Sequence, residues 1–289
     1  QHDTRPPATG AFVFYTFDFF FNFFRKDPMS KKKLALVGCG FLGNIVVDAW
    51  NQGLLPEYEF CAALDRDPQT TAALAAKAKC LPCATLTELL AQTPDYVIEA
   101  ASPQVVREIT LPALEAGANL VVLSIGAFAD TAFLEQASAT ARRNERRIHL
   151  ASGAIGGFDV LRTTALMSAI EASITTEKGP ASLRNTPVFD ENLMHATSKT
   201  EVFAGSAKDA IALFPTKVNV AVAAALATAG VEQTRVSINS VPGFAGDDHR
   251  IEVRGEEVHA VVDIYSRTSA IAGWSIVALL RNLVAPIVF

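Results

Sequence analysis

Residues 33–43 read KLALVGCGFLG, a short apolar run followed at once by a glycine-rich turn. The apolar run is typical of a buried strand, and the residues after the turn have the spacing of a helix. Gly38, Gly40 and Gly43 have the G-x-G-x-x-G spacing of a dinucleotide-binding turn, and Asp65 follows at the end of the next predicted strand, residues 58–64. The sequence therefore predicts a Rossmann domain that binds a nicotinamide dinucleotide.

Each position of this turn has a physical role in holding a dinucleotide. Gly38 permits the tight turn, Gly40 lets the backbone approach the pyrophosphate, and Gly43 lets the helix pack close to the sheet. Phe41 and Leu42 open the helix, whose unpaired N–H groups attract phosphate. The alternative is an ordinary glycine-rich βα turn, and the surrounding strand, helix and acidic residue disfavour it.

The residues after the second predicted strand bear on the choice of cofactor. Asp65 can accept hydrogen bonds from the adenosine ribose hydroxyls, and its carboxylate repels a 2′-phosphate. Arg66 stands beside it and can instead pair with that phosphate. We therefore expect NAD as the cofactor, with NADP tolerated.

Predicted strands alternate with predicted helices up to residue 151, and the order of the elements changes after that. The alternation predicts a doubly wound parallel α/β sheet, with strands at 33–37, 58–64, 95–100, 119–124 and 148–151. Further on, strands at 234–241, 250–254 and 258–265 follow one another without helices, which predicts an antiparallel part. We accordingly expect a Rossmann domain over residues 29–151 and an α+β substrate and dimerisation domain over 152–266. A C-terminal helix within 267–289 is expected to pack back on the Rossmann domain.

Small residues follow several of the predicted parallel strands. Ligands of doubly wound sheets lie beyond the carboxyl ends of the strands. That rule selects Ala101 with Ser102, the segment 124–126 that begins at Ser124, and the segment 152–154 that ends at Ala154. Plain loops are the alternative, but together these residues would let the nicotinamide half of the cofactor lie close to the backbone.

The histidines and cysteines are the other candidates for chemistry. Of His2, His149, His195, His249 and His259, only His249 adjoins a loop, residues 242–248, that could project into a cleft. His149 sits in a buried strand pattern and is expected to be structural. Cys80 and Cys83 have the spacing of a redox pair, but no second pair completes a metal site, so we expect no metal and interpret them as small core residues.

Composition excludes several classes of protein. Half of the chain is hydrophobic, 19% is charged, and the net charge is −5 without a long basic run, so we expect neither nucleic-acid nor membrane binding. Four cysteines in 289 residues are too few for a secreted disulfide scaffold, which favours a cytoplasmic location.

The first 28 residues differ from the rest. Eight of the chain's 18 phenylalanines lie between Phe12 and Phe24. That run is shorter than a membrane helix, and it lacks the basic start of a signal peptide. We expect Met29 to be the native start and residues 1–28 to be a non-native or disordered extension; a membrane-associating leader is the alternative.

From Lys32 onward the chain resembles the L-aspartate dehydrogenases. The resemblance rests on the glycine-rich turn and on four further blocks: ASGAIGGFD at 151–159, FPTKVNVA at 214–221, HRIEV at 249–253 and SRTS at 266–269. It implies that His249 is the catalytic histidine and that Ala154 and Asn219 contact the nicotinamide portion of the cofactor. It also implies a homodimer.

Three positions depart from the family pattern. Asp247 stands where the family usually has Asn, Lys217 also replaces an Asn, and Lys178-Gly179-Pro180 replaces a Lys-Pro-Pro run. These departures bear on substrate preference. The cations that would bind a dicarboxylate could be Lys178, Lys199, Lys217 or Arg250, and the sequence does not rank them.

The resemblance implies NAD(P)-dependent oxidation of L-aspartate to iminoaspartate, which hydrolyses to oxaloacetate and ammonia or feeds NAD biosynthesis. His249 would deprotonate the ammonium or activate the water that attacks the imine. Two alternatives stay open at this point. One is a different two-domain dehydrogenase or reductase, and the other is a dinucleotide-binding sensor without catalysis.

Overall fold

The computed structural model describes residues 31–215 and 218–288. Residues 1–30 lie outside the described residues, and with them the phenylalanine-rich run, His2 and the expected start at Met29. Thr216, Lys217 and Phe289 also lie outside them.

The first half forms a six-stranded parallel sheet in the order β3-β2-β1-β4-β5-β6. This is the strand order of a doubly wound dinucleotide-binding fold, which confirms the predicted fold class. The strands are β1 (Lys32–Val37), β2 (Tyr58–Leu64), β3 (Leu81–Pro82), β4 (Tyr96–Glu99), β5 (Asn119–Val122) and β6 (Ile148–Leu150).

Helices cover both faces of this sheet. They are α1 (Phe41–Asn51), α2 (Pro68–Ala78), α3 (Leu86–Leu90), α4 (Pro103–Glu115) and α5 (Thr131–Arg143). Ser102 caps the start of α4, because its hydroxyl accepts a hydrogen bond from the Val105 N–H at 3.3 Å. After β5 the chain forms a short 3-10 helix, Ile125–Ala129.

The second half forms a five-stranded mixed sheet in the order β11-β10-β7-β9-β8. Its strands are β7 (Glu171–Lys178), β8 (Thr200–Ser206), β9 (Arg235–Ser240), β10 (Asp247–Arg254) and β11 (His259–Ser266). Its helices are α6 (Phe158–Met167), α7 (Ala207–Leu213) and α8 (Asn219–Ala227). β10 is antiparallel to β11, as expected, and also to β7, whereas β7 and β9 are parallel.

The structure corrects the sequence prediction in three elements. β8 was not predicted; it is an edge strand whose register shifts between Glu201 and Phe203, which breaks the alternation that marks a strand. The sequence pattern favours a helix over 159–171, but α6 ends at Met167, because Glu171 pairs with Arg254 of β10. β10 begins at Asp247, three residues before the predicted strand, so His249 lies within a strand that is paired on both sides instead of at its start.

Alternate residues of the second sheet give it one buried face, which we call the inner face. Ala172, Ile174 and Thr176 of β7 are buried on it, as are Ile251 and Val253 of β10. These apolar side chains share one core cluster with α7, α8 and one side of the first sheet. The inner face is therefore the part of the second sheet that can contribute to a site shared with the first.

The C-terminal helix α9 (Ala270–Val284) packs against α1. A Cβ atom at Gly273 would lie 2.9 Å from Ile45, so the two helices approach closely there. The Tyr58 hydroxyl donates to the Leu280 carbonyl at 2.7 Å. None of the described helices combines the length and apolarity that crossing a membrane requires.

Candidate active site

The glycine-rich turn after β1 has the geometry its sequence predicts. Gly38 has φ +102°, and a Cβ atom there would lie 2.6 Å from the Ala100 carbonyl carbon. A Cβ atom on Gly43 would lie 2.2 Å from the Gly38 oxygen, so only glycine lets α1 pack this closely. A Cβ atom on Gly40 would meet no described atom within 4 Å, which leaves room for a ligand at the turn.

The start of α1 fits an anionic group. No described side chain caps this helix, and its first turn carries no acidic residue. The first intrahelical bond of the turn joins the Asn44 N–H to the Gly40 oxygen, so the N–H groups of Phe41 and Leu42 have no acceptor within the helix. These donors and the room at Gly40 suit a pyrophosphate.

Asp65 reaches from the end of β2 to the same turn. Its Oδ2 accepts from the Cys39 N–H at 2.8 Å, and its Oδ1 accepts from the Asp67 N–H at 3.1 Å. The carboxylate is therefore fixed beside the turn, where a ribose would meet it. Arg66 is exposed next to it. Together these residues fit a dinucleotide, with the adenosine end at β2.

Glu99 is a site residue that sequence reasoning missed. It ends β4 with no exposed surface, and it accepts backbone hydrogen bonds from Ala101 at 2.8 Å, Leu123 at 3.2 Å and Ser124 at 2.9 Å. Burial raises the pKa of this carboxyl group, and these donors oppose the rise. Glu99 thus joins the two loops that carry the predicted residues Ala101, Ser102 and Ser124. The sequence feature that could have indicated Glu99 is an acidic residue at the end of an apolar strand.

Asn219 joins the two halves of the chain. Its Oδ1, at the start of α8, accepts from the Gly126 N–H at 2.9 Å. A Cβ atom on Gly126 would lie 2.7 Å from that same oxygen, so a side chain at this position would have to displace the Asn219 side chain. The loop after β5 is therefore held against the helices that cover the inner face.

The glycine-rich loop 153–157, which contains Ala154, lies against the second sheet. A Cβ atom on Gly157 would lie 2.6 Å from Val262 of β11, and one on Gly156 would lie 3.8 Å from Ile264. Ile264 is the residue paired with His249 across β10 and β11. The end of the first sheet therefore adjoins the strand beside His249.

His249 is buried on the inner face with only 2% of its surface exposed. Its Nδ1 lies 3.0 Å from the hydroxyl oxygen of Thr176, the residue paired with it on β7. Burial and the nearby Lys178 ammonium lower the pKa of the imidazole to about 4, against the opposing effect of Asp247. At neutral pH the ring is thus uncharged and able to accept a proton.

The structure distinguishes the candidate cations by the face of the second sheet on which they lie. Lys178 lies on the inner face and forms an ion pair with Asp247, its partner in the β7–β10 register. Arg250 pairs with Asp263 and Lys199 pairs with Glu177, both on the opposite face of the sheet. Lys217 lies outside the described residues. Of the three that are described, only Lys178 shares the face of His249.

The other histidines and the cysteines have structural surroundings. His149 lies 6.0 Å from the Tyr96 ring, and burial, then Arg147, lowers its pKa. His195 is exposed, and His259 bonds to Glu252 on the surface. All four thiols are free, and burial raises the pKa of each: Cys39 and Cys80 to about 12, Cys61 to about 11, and Cys83 in the same direction. No group of metal-binding side chains occurs among the described residues.

The fold and this arrangement define a two-domain dehydrogenase that uses a nicotinamide dinucleotide. Comparison with known proteins agrees on both halves. Residues 38–151 match the model for the NAD-binding domain of homoserine dehydrogenase, and residues 159–283 match the model for the C-terminal domain of aspartate dehydrogenase.

Full-length relatives identify the family. The L-aspartate dehydrogenase of Methanocella arvoryzae is 34% identical over 265 residues, which cover 88% of this chain and 98% of that protein. The enzyme of Nitrosopumilus maritimus is 34% identical over 78% of this chain and 84% of that protein. The crystal structure of Thermotoga maritima aspartate dehydrogenase superposes with a TM-score of 0.72 at 28% identity, covering 89% of this chain and 99% of that one. The chain belongs to the aspartate dehydrogenase family.

Proposed function

We propose that this protein is an NAD(P)-dependent L-aspartate dehydrogenase. The observation that carries the proposal is the position of His249. Its uncharged imidazole contacts Thr176 and lies on the inner face with Lys178. The neighbouring strand β11 adjoins the end of the dinucleotide-binding sheet. Family membership supplies the substrate, since the full-length relatives named above are L-aspartate dehydrogenases.

The chemistry divides between the cofactor and the chain. A bound nicotinamide would supply the acceptor for the hydride that leaves Cα of L-aspartate. The substrate nitrogen loses a proton in the same oxidation, so that a C=N bond forms and iminoaspartate results. Water then adds to the imine, which yields oxaloacetate and ammonia.

His249 has two possible tasks in this sequence. Its neutral imidazole can take the proton that the substrate ammonium releases, or it can activate the water that attacks the imine. Both tasks require a ring nitrogen with a lone pair. If Nδ1 donates to the Thr176 hydroxyl, Nε2 carries that lone pair.

The cofactor-binding residues follow from the geometry of the turn. Gly38, Gly40 and Gly43 with the first N–H groups of α1 would hold the pyrophosphate, and Asp65 would hold the ribose. The nicotinamide half would lie near five further residues: Ala101, Ser102, Ser124, Ala154 and Asn219. We propose NAD as the preferred cofactor because Asp65 repels a 2′-phosphate, and tolerance of NADP because Arg66 stands beside it.

Three finer features belong to the same proposal. A homodimer is the ordinary assembly for such an enzyme, and the outer face of the second sheet is available for it. The four free thiols fit a reducing cytoplasm. Iminoaspartate released before hydrolysis could also feed NAD biosynthesis.

The decisive test is NADH formation by the purified protein with L-aspartate and NAD, then NADP, against a panel of other amino acids. We expect turnover with L-aspartate and no comparable turnover with any other amino acid of the panel. Turnover of a sugar, a homoserine-like compound or a cyclic imine instead would assign the chain to another two-domain dehydrogenase. NADH binding without any turnover would make it a sensor.

A further inference from the structure

A row of polar side chains crosses the inner face beside His249. Asp247 of β10, Lys178 of β7 and Ser240 of β9 are partners in the strand register, so they lie side by side on three neighbouring strands. The next row along contains His249 and Thr176. The two rows are about 7 Å apart, two residues along a strand.

Of the two charges in this row, that of Lys178 is largely shielded from water and that of Asp247 is partly exposed. The Lys178 side chain is 12% exposed and that of Asp247 is 34% exposed, and the two form an ion pair. Such a pair contributes little net stability, because desolvation offsets most of the attraction. It does, however, present one anion and one cation at fixed positions while adding no net charge to the face.

Ser240 supplies an independent observation. It is 1% exposed, and its hydroxyl has no hydrogen-bond partner among the described residues. An unsatisfied buried hydroxyl costs free energy, about 1–3 kcal/mol in mutational data. A ligand atom that accepts from it would remove that cost.

We infer that Asp247, Lys178 and Ser240 recognise the zwitterionic head of an α-amino acid: Asp247 binds the ammonium, and Lys178 with Ser240 binds the α-carboxylate. The inference rests on the proposed function and adds the residues that distinguish an amino acid from its deaminated analogue. The charges of ligand and site are complementary. The ligand's ammonium would take the place of Lys178 beside Asp247, and the ligand's α-carboxylate would take the place of Asp247 beside Lys178. An ammonium held at Asp247 also stands next to the row of His249, which can receive its proton.

The test compares two ligands that differ only in the amino group. L-aspartate and succinate are titrated calorimetrically into the protein saturated with NADH, for the wild type and for Asp247→Asn, Lys178→Met and Ser240→Ala. We expect Asp247→Asn to bind L-aspartate at least 10-fold more weakly and succinate equally well or more tightly. Lys178→Met should weaken both ligands, and Ser240→Ala should weaken both by a smaller factor.

Lys199→Met is the matched control, since it breaks the comparable ion pair with Glu177 on the outer face. It should change neither affinity, and thermal unfolding of each variant checks the fold. Equal weakening of both ligands by Asp247→Asn, or unchanged L-aspartate binding, would overturn the inference while leaving the dehydrogenase in place. A wild-type protein that neither binds nor oxidises L-aspartate would instead remove the proposed function and this inference with it.

Discussion

Thr176 and His249 face each other across the β7–β10 pair, with 3.0 Å between the Thr176 hydroxyl oxygen and Nδ1 of the imidazole. Both side chains are buried, so water does not compete for this contact. It engages one ring nitrogen and leaves Nε2 as the nitrogen that can meet a substrate. The hydroxyl thus fixes the ring's orientation, in the way second partners do for catalytic histidines, and it can serve either tautomer because a hydroxyl both donates and accepts.

Thr176→Val keeps the shape of the side chain and removes the hydroxyl. We expect turnover of L-aspartate to fall about 5-fold, since an orienting hydrogen bond is worth about 1 kcal/mol. Cofactor affinity should not change. Thr175→Val is the control, because Thr175 is the next residue of β7 and faces the opposite side of the sheet. A similar loss in both variants would show that the strand and not the hydroxyl is responsible.

His249→Ala removes the proposed proton acceptor. Turnover should fall by about 10²–10⁴, the usual contribution of general acid–base catalysis, while NADH affinity stays at the wild-type value. His259→Ala provides the comparison, since His259 lies on the adjacent strand but bonds to Glu252 on the surface. Near-normal turnover in His249→Ala would exclude this residue from the mechanism.

Burial of a neutral imidazole has a consequence for stability at acid pH. The pKa of His249 is about 4 in the folded protein, against 6.5 for an exposed histidine. Between these values the unfolded chain binds more protons, so stability is at its full value above pH 6.5 and is lost as the pH falls to 4. The shift corresponds to about 3 kcal/mol of unfolding free energy.

Urea unfolding at several pH values measures this effect. The wild type should lose more stability between pH 6.5 and 4 than His249→Gln does, because only the wild type carries the buried imidazole. Carboxyl groups that titrate in the same range contribute equally to both proteins and cancel in the comparison. If the unfolding free energies of the two proteins fell equally over this pH range, protonation of His249 would cost no stability. That result would contradict the effect expected from burial of the imidazole.

Local patterns were sufficient to predict most of the first domain. The glycine turn, Asp65 and the capping Ser102 act through the backbone within a few residues of themselves, so their sequence context determines their geometry. The second domain depends on pairing between distant strands. No local pattern in the sequence indicates β8, which is an edge strand with a shifted register. Nor does a local pattern show that Lys178 lies on the inner face of the sheet and Arg250 on the outer face. The role of Glu99 likewise appears only when β4 and β5 are side by side.

Glu99→Gln tests the link between those two loops. The amide group would turn an N–H₂ donor toward backbone N–H groups that now meet a carboxylate oxygen. We expect a lower melting temperature and about 10-fold weaker binding of both NAD and NADH, since the cost of an unsatisfied buried donor is about 1–3 kcal/mol. Glu88→Gln is the control, because Glu88 also accepts a backbone N–H, from Ala84, but on the surface. Unchanged NADH affinity in Glu99→Gln would show that the loops do not depend on the carboxylate.

Asp65→Asn tests the cofactor preference with the least disturbance of the turn. The amide oxygen can still accept from the Cys39 N–H, as the carboxylate does at 2.8 Å, so the link to the glycine turn is kept; the exposed contact with the Asp67 N–H, at 3.1 Å, is the one that is lost. The negative charge that repels a 2′-phosphate is lost, and Arg66 becomes free to pair with that phosphate. The ratio of kcat/KM for NADP to that for NAD should therefore rise at least 10-fold. Arg66→Ala should act in the opposite direction, lowering turnover with NADP and sparing turnover with NAD. If the ratio is the same in all three proteins, the cofactor's ribose does not lie at the end of β2, and the position assigned to the adenosine is wrong.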